Sequence, residues 1–598
     1  MSETYRIYAY HCLYCNEMGG SMHLASEHRG EANDLLVLNG GCGVLFADAE
    51  PDGLRRAGTT KILINPRVFR LADGSFGITA LKRNIGPQGK ALPEPGKENF
   101  VLFYRSDDLI SFTRLSFIEA APSGTLLFDA DCRWDGTRYI LSMETDKGPM
   151  TSTSAGLGRF EKALPGGEPI VRHKIAALDS ALSCAFDVSG VEYQRLIDHL
   201  TPVHNIGVEP IQISASAGKS VVLPDACLLY SDGSRRSMRV EWDSFNAPAP
   251  GTYKVKGRIK APFFSFPVMG ERGDPMAVWY RGFYYYMASD DEGGQLSLKI
   301  RKAGTIGEIA CAEDMVILPA SDLPWDAACF WAPELHEIEG RLFLFFAVGS
   351  PHWYTVQSHV MALNGEDPAN PGHWSKPVRC ERKDGTHLIE DGITLDMTVL
   401  KVKGDYYALW AQRFMGSDLG NIGSSDLYIA RIDPEKPWRQ VSEAVLLRRP
   451  LYSWERAHSD VIEGPFVLKR GEDIFVTYAA ALIDHTYCVG LLRTREGSDL
   501  LDPQSWTASN YPVLHRWSHP EQIGAGHNSF VKNEHGDDIL MIHAIPLSHY
   551  RADPADGRRY PAFRAIHWDA SGFPRLDMTN ERLLDPAFET IEAAVILT

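Results

Sequence analysis

Arg281-Gly282-Phe283-Tyr284-Tyr285-Tyr286-Met287-Ala288, Glu339-Gly340-Arg341-Leu342-Phe343-Leu344-Phe345-Phe346-Ala347 and Lys403-Gly404-Asp405-Tyr406-Tyr407-Ala408-Leu409-Trp410-Ala411 share one pattern. Arg470-Gly471-Glu472-Asp473-Ile474-Phe475-Val476-Thr477-Tyr478-Ala479 and His535-Gly536-Asp537-Asp538-Ile539-Leu540-Met541-Ile542-His543-Ala544 repeat it. In each, a glycine turn leads into a short apolar strand that ends near a small residue. The glycines are spaced 58, 64, 67 and 65 residues apart. Another apolar run precedes each one, such as Met276–Tyr280 or Met397–Val402, so each unit predicts a β-hairpin. A strand-rich unit of about 60 residues, repeated in this way, suits the blades of a β-propeller. The fold class predicted is all-β, with a five-bladed β-propeller at the C-terminal end over 263–598.

Upstream of the repeats the punctuation changes. Leu229-Tyr230-Ser231-Asp232-Gly233-Ser234 reads as a turn between strands, followed by Arg239–Asp243 and Pro250-Gly251-Thr252-Tyr253-Lys254-Val255. Short strands with a Trp for a small core predict a β-sandwich over 203–262. Its Tyr-Ser-Asp-Gly turn and Pro-Gly-Thr-Tyr strand resemble bacterial Ig-like modules. Gly190–Leu200 is the best short helix, within a connector over 188–202. Residues 1–187 again read as β. The turns at Gly74 and Gly136 stand 62 residues apart, matching the later step and suggesting a propeller-like N-terminal module of three or four blades.

The composition excludes several classes of function. The 598 residues are 44% hydrophobic and 23% charged, as in an ordinary globular protein. Sixty basic residues against 77 acidic leave a net charge of −17, which argues against a nucleic-acid partner. No run approaches the roughly 18 apolar residues of a membrane span. Met1–Arg6 lacks a basic segment leading into an apolar one, so a cytoplasmic location is expected. The ten cysteines are then read as reduced thiols. Cys12-x-x-Cys15 has no second pair at zinc-site spacing.

In a propeller, equivalent positions of the innermost strands ring one mouth. Counting back eight residues from each repeat glycine reaches Asp274, Ala332, Asp396, Glu463 and Asn528, with His527 one residue earlier. Each acid alone has a structural reading, as a turn residue, an Asx-type bond or a loop end. Three carboxylates at one register of buried strands point instead to a site, because Asp and Glu are rarely buried without partners. Facing carboxyls are what glycosidic cleavage needs: one protonated to donate to the leaving oxygen, one ionised to activate water. A third can raise the acid's pKa by like-charge repulsion.

Arg272-Gly273-Asp274-Pro275, Phe330-Trp331-Ala332-Pro333-Glu334-Leu335, Thr394-Leu395-Asp396-Met397-Thr398-Val399, Ile462-Glu463-Gly464-Pro465 and Gly526-His527-Asn528-Ser529-Phe530 resemble glycoside hydrolase family 43, over about 265–598. The resemblance implies an inverting hydrolase with Asp274 as general base, Glu463 as general acid and Asp396 as pKa modulator. It requires no cofactor, although His527 is the expected neighbour of a central water or of a Ca2+ ion. Trp331 and Trp454 are candidate sugar platforms, with Asn528 also assigned to substrate binding; Glu334 and Glu455 have no assigned role. The activity implied is exo-acting release of pentose or furanose units from oligosaccharides, foremost as an α-L-arabinofuranosidase. β-Xylosidase, galactofuranosidase, a catalytically silent carbohydrate-binding propeller and a protein-interaction scaffold are the alternatives. The segment Tyr452–Ile462 departs from the shorter approach to the acid common in arabinan-active relatives. In the N-terminal module Asn65-Pro66-Arg67 stands where an Asp-Pro would carry a base, so no hydrolysis is expected there. Both upstream modules are expected to pack on the propeller and wall its pocket.

Overall fold

The computed structural model describes residues 4–11, 20–28, 31–50, 59–85, 90–174, 182–246, 249–415 and 422–598. Cys12 and Cys15 lie outside them. Five antiparallel sheets follow one another from Gly273 to Ala565, and each inner strand packs against the next. The inner strands are Gly273–Tyr280, Ala328–Ile338, Gly392–Val402, Ile462–Arg470 and Gln522–Lys532. The fifth packs back on the first, closing a five-bladed ring. Blades one to four have four strands and the fifth has three. The segment entering the first blade runs beside the last strand of the fifth, where Val268 N–H and Arg272 N–H donate to Pro561 O and Arg559 O.

The local sequence explains these hairpins. Arg281-Gly282, Glu339-Gly340 and Lys403-Gly404 all have positive φ, the geometry that two-residue hairpin loops favour. The second strands are apolar throughout rather than alternating, because blades stack on both of their faces; Leu342–Gly349 is buried at every position.

The N-terminal module has three sheets. The first strand, Thr4–His11, pairs with the last, Leu182–Ser189, so the module closes on itself. Ser189 then caps the predicted helix Gly190–Leu200 through a reciprocal bond with Glu192. The module docks on the fourth blade through Ala49 N–H to Leu451 O and an apolar cluster running from Met22 and Phe46 to Trp454 and Tyr478. The Ig-like sandwich lies over the seam between the first and fifth blades, packing Tyr230 and Met238 against Tyr286 and Phe563.

One boundary differs from expectation. The propeller does not run to residue 598. The last strand, Thr590–Leu597, lies between Ile211–Ala215, to which it is parallel, and Gly251–Ile259, to which it is antiparallel. It belongs to the sandwich. Its alternation of exposed and buried residues marks a strand with one face on a core, but nothing local says which core.

Candidate active site

Every inner strand of the ring carries a β-bulge at the register of the candidate acids. At each bulge one residue is left-handed: Asp274, Ala332, Asp396, Gly464 and His527. A bulge bends its strand and re-aims side chains, which here turns polar groups toward the axis of an otherwise apolar blade. Positive φ in non-glycine residues costs on the order of 1–3 kcal/mol each, and such strain clusters at functional sites.

The bulges bring the three acids together. His527 Nδ1 lies 3.1 Å from Asp274 Oδ1 and 4.0 Å from Asp396 Oδ2. The backbone N–H of Gly464, next to Glu463, donates to Asp396 Oδ2 at 3.0 Å. Gly464 has to be glycine twice over: its φ is 54°, and a Cβ there would meet the His527 ring at 3.0 Å. Asp274 and Asp396 are buried, whereas Glu463 keeps part of its surface open.

The three carboxyls have different partners. Arg559 Nη1 donates to Asp274 Oδ1 at 2.8 Å while its other nitrogens hold Asp291. Gly273 leaves room for that guanidinium, which a Cβ would meet at 2.1 Å. Ser289 Oγ donates to Asp274 Oδ2 and accepts Ala332 N–H, tying two blades. His543 Nδ1 accepts the backbone N–H of Asp274 at 3.1 Å. Tyr487 stacks on His543 and donates its hydroxyl to Glu463 Oε1 at 2.7 Å. Arg559, His543, Tyr487 and Ser289 escape the sequence reading.

This wiring separates the acids electrostatically. Burial raises the Asp274 carboxyl, but Arg559, His527 and His543 outweigh it and hold Asp274 well below the ordinary carboxylate range. Burial, reinforced by Glu463 and Asp274, pushes Asp396 up to about 8 despite His527. Burial also raises Glu463, and His527 and the Tyr487 hydroxyl only partly offset it. Asp396 and Glu463 thus form a pair that keeps a proton at neutral pH while Asp274 is ionised. Asp396 is itself driven up by Glu463, so the repulsion expected of a modulator acts on the modulator as well. His527 is raised despite burial because the carboxylates surround it, whereas burial takes His543 down to about 4.

The other sequence-predicted residues divide between the mouth and the blades. Trp331 sits at the second-blade bulge, partly exposed, with its indole N–H on Gln295 Oε1. Trp454 is no sugar platform: it is fully buried, stacked on Tyr452 and Tyr478, with its N–H on Asn510 O. Glu455 beside it is buried against Arg448 and Tyr478. Asn528 is turned between blades, its Nδ2 on Thr477 Oγ1 at 2.8 Å, and does not face the mouth as a substrate ligand would. Glu334 pairs with His336 on the second inner strand. The acids' hydrogen-bond partners above are all propeller residues, so the upstream modules do not wall this mouth through them.

Calcium takes six to eight oxygens, whereas the described residues hold no group of three or more His, Cys, Asp or Glu arranged for a metal. The carboxylates around His527 favour its protonated form. In the N-terminal module Asn65 repeats the first-blade geometry. It is left-handed at a bulge, precedes a proline, and its backbone N–H is accepted by His11 Nδ1 at 3.2 Å, as that of Asp274 is by His543. An amide cannot take up a proton as a carboxylate does, so the module lacks a base at this position.

The model for glycosyl hydrolases family 43 matches residues 264–574, and that for the bacterial Ig-like domain (group 4) matches 208–261. Alpha-L-arabinofuranosidase B of Pyricularia oryzae is 30% identical over 53% of this chain and 64% of its own length. The extracellular exo-alpha-(1->5)-L-arabinofuranosidase of Streptomyces avermitilis is 31% identical over 52% and 62%. The protein of the same name from Streptomyces chartreusis is 32% identical over 48% and 84%. The chain therefore spans a little under two thirds of the first two relatives. The two Streptomyces names place those relatives outside the cell, which overturns the expectation of a cytoplasmic location. With just over half of its length matched by the family model and its acids gathered at the propeller's mouth, this chain belongs to glycosyl hydrolases family 43.

Proposed function

We propose that the propeller is an inverting exo-α-L-arabinofuranosidase. The observation that carries this reading is the electrostatic split within one buried cluster: Asp274 held ionised, and the Asp396–Glu463 pair held protonated. Ionised Asp274 takes a proton from water as the water oxygen bonds to the anomeric carbon. Glu463, the acid closest to solvent, gives its proton to the glycosidic oxygen as the carbon–oxygen bond breaks. Asp396, fixed by Gly464 N–H and His527, shares that proton with Glu463, and ionised Asp274 adds the repulsion that holds it on the pair. Arg559 and His543 orient the base. Trp331, partly exposed at the second-blade bulge, offers its ring to the bound sugar. The arabinofuranosyl specificity rests on the names of the relatives, and the substrate proposed is the chain end of a plant-type oligosaccharide.

Product analysis on arabinan, arabinoxylan and galactofuranosyl oligosaccharides, with NMR of the first anomer released, tests this. Arabinose released as the β-anomer from α-linked ends is the expected result. The α-anomer appearing first would remove Asp274 as a general base. Preferred turnover of β-xylosides or galactofuranosides would reassign the substrate. No turnover by pure protein would leave a carbohydrate-binding propeller.

A further inference from the structure

We infer that the cleft where the three modules meet is a second, non-catalytic saccharide-binding site. This cleft has a volume of about 1150 Å³, at or above the upper end of the roughly 300–1,000 Å³ range of small-ligand pockets. The N-terminal module supplies Phe112, the connector helix Asp198 and His199, the fourth blade Arg493 and Asn510, and the chain leaving the fifth blade Phe573. It is separate from the active site. Arg493 lies on the third strand of the fourth blade, two strands out from the one carrying Glu463, or about 10 Å of sheet.

The chemistry of the walls selects the ligand class. Phe112 and Phe573 are partly exposed rings, surfaces on which the C–H faces of sugars pack. Between them stand donors and acceptors of both signs. Asp198 is steadied by Gln194 Nε2 at 2.7 Å, and Arg493 by Asp473 at 3.0 Å. Asn510 makes only long bonds, accepting Phe112 N–H at 3.3 Å and donating to the Tyr452 hydroxyl at 3.4 Å, so its amide is open to exchange. Four aspartates, Asp108, Asp198, Asp232 and Asp569, against Arg195 and Arg493 disfavour an anion, and Asp108, Asp232 and Asp569 each spend Oδ1 on a neighbouring backbone N–H, which leaves no set of free carboxylates for a cation. Such a wall suits a neutral ligand whose many hydroxyls both donate and accept. His199, which burial takes down to about 4, faces such a ligand as a neutral imidazole. A chain held here keeps a polymer on the enzyme while its end is processed elsewhere, the logic of linked sites. The choice of arabinan as first probe and the processing of the held chain rest on the glycosidase reading; the cleft's binding does not.

The test uses the full chain with Glu463→Gln to stop turnover, run in native gels containing soluble arabinan, arabinoxylan or galactan. At least one polymer should retard it. Adding Ala570→Trp, which fills the cleft from an exposed lining position, should weaken that retention by about tenfold or more, and Phe112→Ala should do the same. Ala570→Trp alone should leave hydrolysis of nitrophenyl α-L-arabinofuranoside unchanged, because that substrate reads only the active site. Retention equal to the parent in both cleft variants, or no retention by any polymer, overturns the inference. Cleft-dependent retention from a protein that turns over no glycoside would sink the catalytic reading and leave the cleft standing.

Discussion

Burial acts on Asp274 and Glu463 in the same direction, and only their neighbours separate them. The base must be ionised, so kcat/KM rises with pH through a limb far below the ordinary aspartate value of about 4. The acid must be protonated, so activity falls as pH climbs through the raised pKa of the Asp396–Glu463 pair. The profile should be flat through weak acid, with its falling limb above the ordinary glutamate range. In Asp396→Asn that limb should move to lower pH, because Glu463 no longer shares its proton with a second carboxyl; a limb that stays put would mean Asp396 does not tune the acid. Glu463→Gln should cost natural arabinosides about 10²–10⁴-fold in kcat/KM, the usual worth of general acid catalysis. Nitrophenyl glycosides, whose leaving group needs little protonation, should lose far less, and equal losses would remove Glu463 from that role. The three acids were legible because they share one offset before the repeat glycines. Counting forward seven from the same glycines reaches Ser289 and His543, polar residues on second strands and a signal left unread. Arg559 follows no register at all. It reaches Asp274 from beside the last strand of the fifth blade, a long-range contact that no local spacing encodes.

At the scale of the strand, one device recurs: a bulge with a left-handed residue, which opens a polar mouth in apolar blades. Asp274, Asp396 and His527 accept that strain where the mouth needs their side chains, and Gly464 where it needs none. Asn65 keeps the same backbone without the charge, so this geometry belongs to the strand and the chemistry is added by the side chain. The segment Tyr452–Ile462 is the opposite case. Trp454 reads from sequence as a sugar platform, yet it and Glu455 fold inward against Tyr478 and Arg448, beneath the N-terminal module. An aromatic residue before the acid has the same sequence signature whether it lines a pocket or fills a core, and only packing decides between them. Trp454→Ala should therefore cost about 3–5 kcal/mol of stability, read as a lower denaturant midpoint. The KM for nitrophenyl arabinofuranoside should not change; a raised KM at unchanged stability would restore Trp454 as a sugar platform.

At the scale of the molecule, the last strand answers a problem that every propeller faces, how to hold the first blade to the last. Gly251–Ile259 precedes the ring, Thr590–Leu597 follows it, and the two pair in one sheet. That sheet belongs to the sandwich lying over the seam between the first and fifth blades. The Ig-like module thus joins the two chain ends of the propeller. The repeat glycines could announce five blades, but the pairing partner of a final strand more than 300 residues from Gly251 is set by tertiary packing alone. Val595 is fully buried in this sheet, opposite Ile213 on one side and Tyr253 on the other. Val595→Asp would place an unpaired carboxylate there at a cost of several kcal/mol. If the sheet clasps the ring, the loss is felt at the active site too, through the seam that Asp274 and His527 straddle. The temperature of half-inactivation should then fall by roughly 5 °C or more, with kcat/KM at low temperature little changed. Val222→Asp, at an exposed position of the same module, should leave both unaffected. Should Val595→Asp melt the sandwich in calorimetry yet leave the heat resistance of the activity untouched, the propeller would be closing without its clasp, through the packing of its first and fifth inner strands.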